Sequence, residues 1–254
     1  MINVSIADFF KPIRLKSDHS QEEYEELSSI IETAQAFANS IYQGVYIIDY
    51  FRRSFLYVSD NPIFLCGKPP EVVQKMGYYF YLKNVPEDDL QMLMEINFAG
   101  FAFYNNIPVN MRRNYIISYN FRLIQSNNEQ LMIDHKLTPL KLDKDGNMWL
   151  ALCLVSTSSN HTPGHVLIQN TKDGTCYEYN FDNKEWLPLP KVKFTKTEKL
   201  VLLLTNQGYT MDDIAEKTGT TLYAIRFHRV NILRKLKVKN ISEAIIYALN
   251  HKLI

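Results

Sequence analysis

Cysteine is scarce in this 254-residue chain, and its three copies, Cys66, Cys153 and Cys176, are far apart. No Cys-x-x-Cys pair occurs, so the sequence indicates neither a zinc knuckle nor a disulfide framework. The chain also lacks a run of about 18 apolar residues, and its N-terminus has no signal-peptide pattern. We therefore expect a cytoplasmic protein that does not bind a membrane.

The short motifs of common enzyme classes are missing too. The sequence contains no GxxxxGK[S/T], no GxSxG and no HExxH, and no GxGxxG follows a predicted strand. His161 and His165 are four residues apart, but Pro163 and Gly164 between them exclude a helix that could present both to one metal ion. We expect no enzyme, no catalytic residues and no metal site.

Charge is unevenly distributed along a chain whose composition is otherwise globular, with 46% hydrophobic and 22% charged residues. The net charge is only +1. From Phe194 onward, however, ten Lys and Arg stand against five Asp and Glu, which gives +5 there and −4 in the preceding part. This asymmetry suggests a polyanion-binding module attached to another domain.

The first 40 residues form a predicted helical segment. Residues 20–40 contain no Gly or Pro, and apolar residues recur at helical spacing between Tyr24 and Phe37. Ser20 followed by Glu23 fits a capping box. Two interpretations stay open, a helix packed on its own domain and a dimerisation helix.

Residues 41–160 show a mixed pattern. GVYIIDY and SFLYVSD predict two short strands, CGKPPEVVQKMG and VPEDDLQMLMEINFAGF predict helices, and three longer strand-like runs follow. SNNEQ and KDGN separate these runs as hairpin turns. This order favours an antiparallel sheet with helices on one side.

This region resembles a PAS domain, on the residues 44–49, 55–59 and 65–67, on the Val85-Pro86-Glu87-Asp88-Asp89 segment and on the three closing strands. The resemblance implies a sensor or dimerisation domain that holds a cofactor, a small ligand or neither. Cys66 does not lie in a flavin-reactive context, and His135, the only strand histidine, is more often a hydrogen-bonded residue than a haem ligand. We expect no cofactor, or an unidentified small organic ligand.

Residues 161–192 predict a β-hairpin extension and a linker. Lys172-Asp173-Gly174 and Asp182-Asn183-Lys184 lie at turn positions. Trp186 is expected to anchor this extension, and Pro188 and Pro190 to stiffen the linker into the last domain.

Residues 193–254 predict four helices. Thr195 with Glu198 and Thr210 with Asp213 fit capping boxes, and Gly208 and Gly219 fit helix ends. Thr220 or Thr221 would cap the third helix, and Asn240 or Ser242 the fourth. Two helices joined by a short turn at Gly219, the second of them basic, are typical of a helix-turn-helix.

The third of these helices has an apolar face and a mixed face. At about 100° per residue, one third of its circumference carries Leu222, Ile225, Ile232, Leu233 and Leu236, together with Arg229. The other side mixes aromatic and apolar residues with cations. It is either an ordinary solvated face or a surface that enters a DNA major groove, where arginines bond bases or phosphates.

The same module closely resembles the LuxR/FixJ-type helix-turn-helix family. The matching residues are Phe194-Thr195 with Glu198, Gly208, Ile214-Ala215, residues 225–229, residues 231–236, Ala244, Ala248 and Leu253-Ile254. Departures are Ala224, where the family usually has Thr, and Lys196, where Pro is common. The resemblance implies base contacts from the positions of Arg226, Phe227 and Val230, and backbone contacts near Thr221, His228, Asn231 and Lys235.

Together these features predict an α+β protein with a PAS-like antiparallel sheet and flanking helices, followed by an all-α four-helix helix-turn-helix domain. Its expected function is that of a DNA-binding transcriptional regulator, a homodimer on double-stranded DNA with RNA polymerase as a candidate partner. The alternative is a signalling or scaffold protein whose C-terminal helices bind another protein. The DNA-binding residues are predicted to be Thr221, Tyr223, Arg226, Phe227, His228, Val230, Asn231, Arg234 and Lys235.

Overall fold

A computed structural model describes residues 5–13, 19–250 and 253–254, with the side chain of Asn250 outside the description. The chain divides into two compact units, Met1–Leu189 and Pro190–Ile254. Within the described residues, no helix is both long enough and apolar enough to cross a membrane.

The first unit combines one antiparallel sheet with seven described α-helices. Its helices are α1 (Ile6–Phe10), α2 (Gln21–Glu25), α3 (Ser28–Ser40), α4 (Pro62–Leu65), α5 (Pro70–Met76), α6 (Tyr79–Asn84) and α7 (Glu87–Asn105), followed by a 3-10 helix at Val109–Asn114. Its strands are β1 (Gly44–Asp49), β2 (Ser54–Val58), β3 (Tyr115–Ile124), β4 (Gln130–Leu142), β5 (Met148–Thr157), β6 (Leu167–Asn170), β7 (Cys176–Asn180) and β8 (Glu185–Leu189).

The sheet confirms the expected fold class and the PAS-like order of elements. Two strands come first, four helices follow, and three longer strands close the region, with every pairing antiparallel. The strand order is β2-β1-β5-β4-β3-β6-β7-β8. Among the strands β1 to β5, β5 is therefore central, and β1 lies beside it.

Helices cover both faces of this sheet, which corrects the expectation of helices on one side. Alternate β1 residues enter different cores: Tyr46 and Ile48 pack with residues of α4–α7, whereas Ile47 packs with Leu27 and Ala34 of the N-terminal helices. All six residues of β1 are buried for this reason. An alternating polar pattern, which would indicate one wet face, is therefore absent from this strand.

The single helix predicted over residues 20–40 is two helices. The α2 helix begins at the predicted capping box, where the Ser20 side chain accepts from the amide of Glu23, but it ends at Glu25. Leu27 is buried between the two helices, in the same core as Trp149. The helix is thus interrupted at the residue whose side chain packs on the sheet.

The strands of residues 161–192 extend the same sheet through β6, which pairs with β3. Trp186 anchors this extension as expected, because its indole N–H donates to the carbonyl of Ala99 on α7 over 3.2 Å. Pro188 lies within the edge strand β8 and not in the linker, which corrects its predicted place. An edge strand accepts proline because its outward N–H has no strand partner.

The second unit consists of α8 (Lys196–Asn206), α9 (Met211–Thr218), α10 (Leu222–Leu236) and α11 (Ile241–Asn250). Both predicted capping boxes are present, at Thr195 with Glu198 and at Thr210 with Asp213. Its own apolar core contains Val201, Leu202, Ile214, Ala215, Ile225, Ile232, Leu236, Ala244 and Ala248.

Candidate nucleic-acid interface

A tight turn joins α9 to α10. Gly219 ends α9 with φ of 62°, in the left-handed region that glycine adopts at little cost. After Thr220, Thr221 starts α10, and its hydroxyl accepts a hydrogen bond of 3.2 Å from the amide of Ala224. Thr221, and not Thr220, is therefore the cap, and the two helices form a helix-turn-helix.

The core fixes which side of α10 faces outward. Ile225, Ile232 and Leu236 are buried, with Leu222 and Leu233 half-buried beside them. These are the five apolar residues that the helical wheel assigns to the core face. Arg229, predicted on the same face, is half-buried and makes no ion pair within the described residues.

Opposite this core lies an exposed apolar ridge made of Tyr223, Phe227 and Val230. Their exposed fractions are 80%, 56% and 60%. The spacing i, i+4, i+7 places the three side chains in one row along the helix. The ridge therefore presents a row of apolar groups that the core of this unit does not use.

Polar and basic side chains border the ridge. Arg226 and Arg234 are exposed, and the guanidinium of Arg234 donates to the side-chain oxygen of Asn231. His228 is half-buried with its ring centroid 5.9 Å from that of Phe227. Thr221 is exposed at the start of α10. The backbone amide groups of the first turn of a helix carry a partial positive charge, which is located there.

Lys235 is turned away from this surface. Its ammonium donates to Oε2 of Glu198 over 2.6 Å and to the carbonyl of Lys193 over 3.0 Å. Glu198 is buried, and the same oxygen also accepts from the amide of Thr195 over 2.7 Å. Burial alone would raise the pKa of Glu198, but the bonds from Lys235 and Thr195 outweigh it and hold the pKa below its usual value.

The structure thus brings eight of the nine predicted residues to the outer side and the ends of α10, and it gives Lys235 an internal partner. Sequence reasoning missed this partner because Glu198 and Lys235 are 37 positions apart. The only signal in the sequence for this pair is the family resemblance, because Glu198 and Lys235 both lie in the module that carries it.

The first unit has a small cavity between α7 and the sheet. Its volume is about 60 Å³, and its walls are mainly apolar, with Ile96, Phe101 and Leu137 among them. Tyr104 also lines it, and the buried hydroxyl of Tyr104 has no hydrogen-bond partner among the described residues.

The two residues considered as cofactor ligands lie in the core of the first unit. Nε2 of His135 lies 2.6 Å from the hydroxyl of Tyr46, which also bonds Tyr81, and burial lowers the pKa of His135 to about 3. Burial raises the pKa of Cys66 to about 11, so its thiol is protonated at neutral pH. The described residues contain no group of three His, Cys, Asp or Glu side chains arranged around a metal position.

Comparison with known proteins identifies the second unit. The family model described as bacterial regulatory proteins, luxR family, matches residues 192–248. The response regulator protein VraR of Staphylococcus aureus is 40% identical over 60 residues, which are 24% of this chain and 29% of VraR. The chain therefore spans less than a third of the curated relatives it matches. The second unit is therefore a LuxR-type helix-turn-helix domain.

Two solved structures give weaker similarities. A phage VqmA–DPO complex is 17% identical, covers 91% of this chain and 90% of its own, and superposes with a TM-score of 0.32. The PAS-B domain of Drosophila melanogaster Cycle is 13% identical, covers 45% of this chain and 99% of its own, and has a TM-score of 0.34.

Proposed function

We propose that this chain is a DNA-binding transcriptional regulator whose α10 helix enters the major groove. The observation that supports it is the apolar ridge with Arg226 and Arg234 at its borders, on the outward side of the second helix of a helix-turn-helix. An arginine can bond O6 and N7 of guanine or a phosphate, and apolar side chains can contact base edges. This surface lies at the position where such helices meet DNA.

The proposed working form is a homodimer in the cytoplasm. One helix-turn-helix covers only a half-site, and a two-fold dimer reads a pseudo-palindrome with half-sites about one helical turn apart. A regulator bound in this way acts on transcription next to RNA polymerase, which is therefore a proposed partner.

For the first unit we propose a sensor or dimerisation role. The cavity beside Tyr104 is where a small organic ligand would lie, since the unpartnered hydroxyl offers one hydrogen bond in an apolar surrounding. Its volume of about 60 Å³ is smaller than the roughly 150 Å³ cavity that accepts benzene. A metabolite would therefore bind only with movement of the side chains around it.

The test is the salt dependence of binding by the full chain. We expect the affinity for duplex DNA to fall steeply between about 50 and 200 mM salt, because phosphate contacts release counterions. Arg234→Ala should reduce this affinity and its salt slope, whereas Lys199→Ala, an exposed cation on α8, should change little. The scaffold alternative would be supported instead if the chain does not bind DNA at low salt and binds a protein partner with an affinity that does not depend on salt.

A further inference from the structure

The apolar ridge is unusual for a groove-binding surface because it offers almost no hydrogen bonds. Phe227 and Val230 have no polar side-chain atom, and Tyr223 has a single hydroxyl. All three side chains remain more than half exposed. Direct readout of guanine, cytosine or adenine depends on hydrogen-bond donors or acceptors, and the only such group in the ridge is the Tyr223 hydroxyl.

The major groove has one apolar group that can distinguish bases, the C5-methyl of thymine. We propose that the ridge reads thymine methyl groups, so that apolar contacts from Tyr223 to Val230 of α10 supply part of the sequence specificity of this protein. This inference rests on the proposed function, since it presumes that α10 enters the groove. Arg226 and Arg234 then bond guanine or phosphate at the borders of the same surface.

The length of the ridge sets how many base pairs it can read. Tyr223 and Val230 are seven residues apart, which corresponds to about 10 Å along a helix with a rise of 1.5 Å per residue. Base pairs of B-DNA are stacked at about 3.4 Å. The ridge therefore spans about three base-pair steps. Because it has three side chains, each half-site should contain one to three thymines whose methyl groups contribute to affinity.

Polar neighbours are placed so that they do not compete for these methyl groups. The side-chain oxygen of Asn231 already accepts from Arg234, and Lys235 is held by Glu198 on the far side. The guanidinium of Arg226 is exposed and makes no ion pair among the described residues, so it is available for a base or phosphate beside the ridge. Contacts with methyl groups and polar contacts with bases or phosphates would thus come from different side chains of one helix.

The experiment replaces thymine by deoxyuridine, which removes only the methyl group and leaves every hydrogen-bonding atom. The full chain is titrated against the best-bound duplex from a selection and against versions with deoxyuridine at single positions. We expect about a fourfold loss of affinity for each contacted methyl, the size given by burial of one such group. Deoxyuridine at thymines outside the positions that α10 contacts should leave the affinity unchanged.

Variants then assign the effect to the ridge. Phe227→Ala should bind more weakly but lose its sensitivity to at least one deoxyuridine, and Val230→Ala should do the same at a neighbouring position. Leu200→Ala, which shortens an exposed side chain on α8, should keep the full sensitivity. These side chains are exposed, and circular dichroism should show an unchanged helix content.

The outcomes separate this inference from the proposed function. Equal affinity for thymine and deoxyuridine at every position would overturn methyl readout and leave DNA binding intact. Sensitivity that survives in Tyr223→Ala, Phe227→Ala and Val230→Ala alike would also overturn it, because the methyl groups would be read by other residues. No binding to any duplex would overturn the proposed function itself.

Discussion

Glu198 at the start of α8 and Lys235 in the last turn of α10 form a salt bridge of 2.6 Å whose carboxylate is buried. The same carboxylate closes the capping box with Thr195. One side chain thus fixes the first turn of α8 and ties it to the end of the proposed recognition helix. We infer that Lys235 stabilises the second unit through this salt bridge.

Replacing Lys235 with alanine should therefore destabilise the second unit. The change leaves the buried carboxylate of Glu198 with only its capping bond, and an unsatisfied buried group of this kind costs about 1–3 kcal/mol. Hydrogen exchange of the α8 and α10 amides in the full chain measures the loss locally. Lys199→Ala removes an equal charge from α8 and should leave the exchange unchanged. Similar exchange in both variants would contradict the structural role of the salt bridge.

Acid should destabilise the first unit through His135. Burial lowers its pKa in the folded state to about 3 from an ordinary value of 6.5, so below pH 6.5 the unfolded chain binds a proton that the folded chain does not. The contribution of His135 to the free energy of unfolding is thus fully present above pH 6.5. It falls towards pH 3, by up to about 1.4 kcal/mol per pH unit.

Tryptophan fluorescence can follow this effect, because Trp149 and Trp186 both lie in the first unit. Denaturant unfolding between pH 7 and pH 4 should show the decline in the native protein. His135→Gln should flatten it, whereas His161→Gln, at an exposed position, should not. An unaltered slope in His135→Gln would show that other groups cause the acid sensitivity.

Gly219 should tolerate asparagine better than alanine. A Cβ at this position meets no atom within 4 Å, so the cost comes only from its φ of +62°. We expect Gly219→Ala to lose about 1 kcal/mol of stability in the second unit and Gly219→Asn less, because asparagine enters the left-handed region more easily. Hydrogen exchange of the α9 and α10 amides distinguishes the two variants. Equal protection in the native protein and in both variants would contradict a backbone cost at position 219.

Local sequence signals predicted the second unit well. Capping boxes at Thr195 and Thr210, the glycine at 219 and the apolar period of α10 each depend on residues within one or two helical turns. The sequence therefore located both the outward face of α10 and the residues of the ridge before any tertiary contact was known.

Long-range packing explains what the sequence did not show. The break at Leu27 and the second covered face of the sheet depend on Ile47 and Trp149, which are distant in sequence. The partner of Lys235 and the Tyr46–His135 contact join residues 37 and 89 positions apart. No periodicity reports such pairs, and Pro188 was misplaced because a proline at an edge strand has the same local pattern as one in a linker.

The most direct test is selection of a random duplex library at moderate salt by the full 254-residue chain, by its Arg226→Ala variant and by residues 190–254. We predict a two-fold symmetric motif for the native protein, with half-site centres about 10 base pairs apart. Arg226→Ala should select the same spacing with one base preference relaxed. Failure of both the full chain and residues 190–254 to enrich any sequence would contradict the claim that α10 reads DNA.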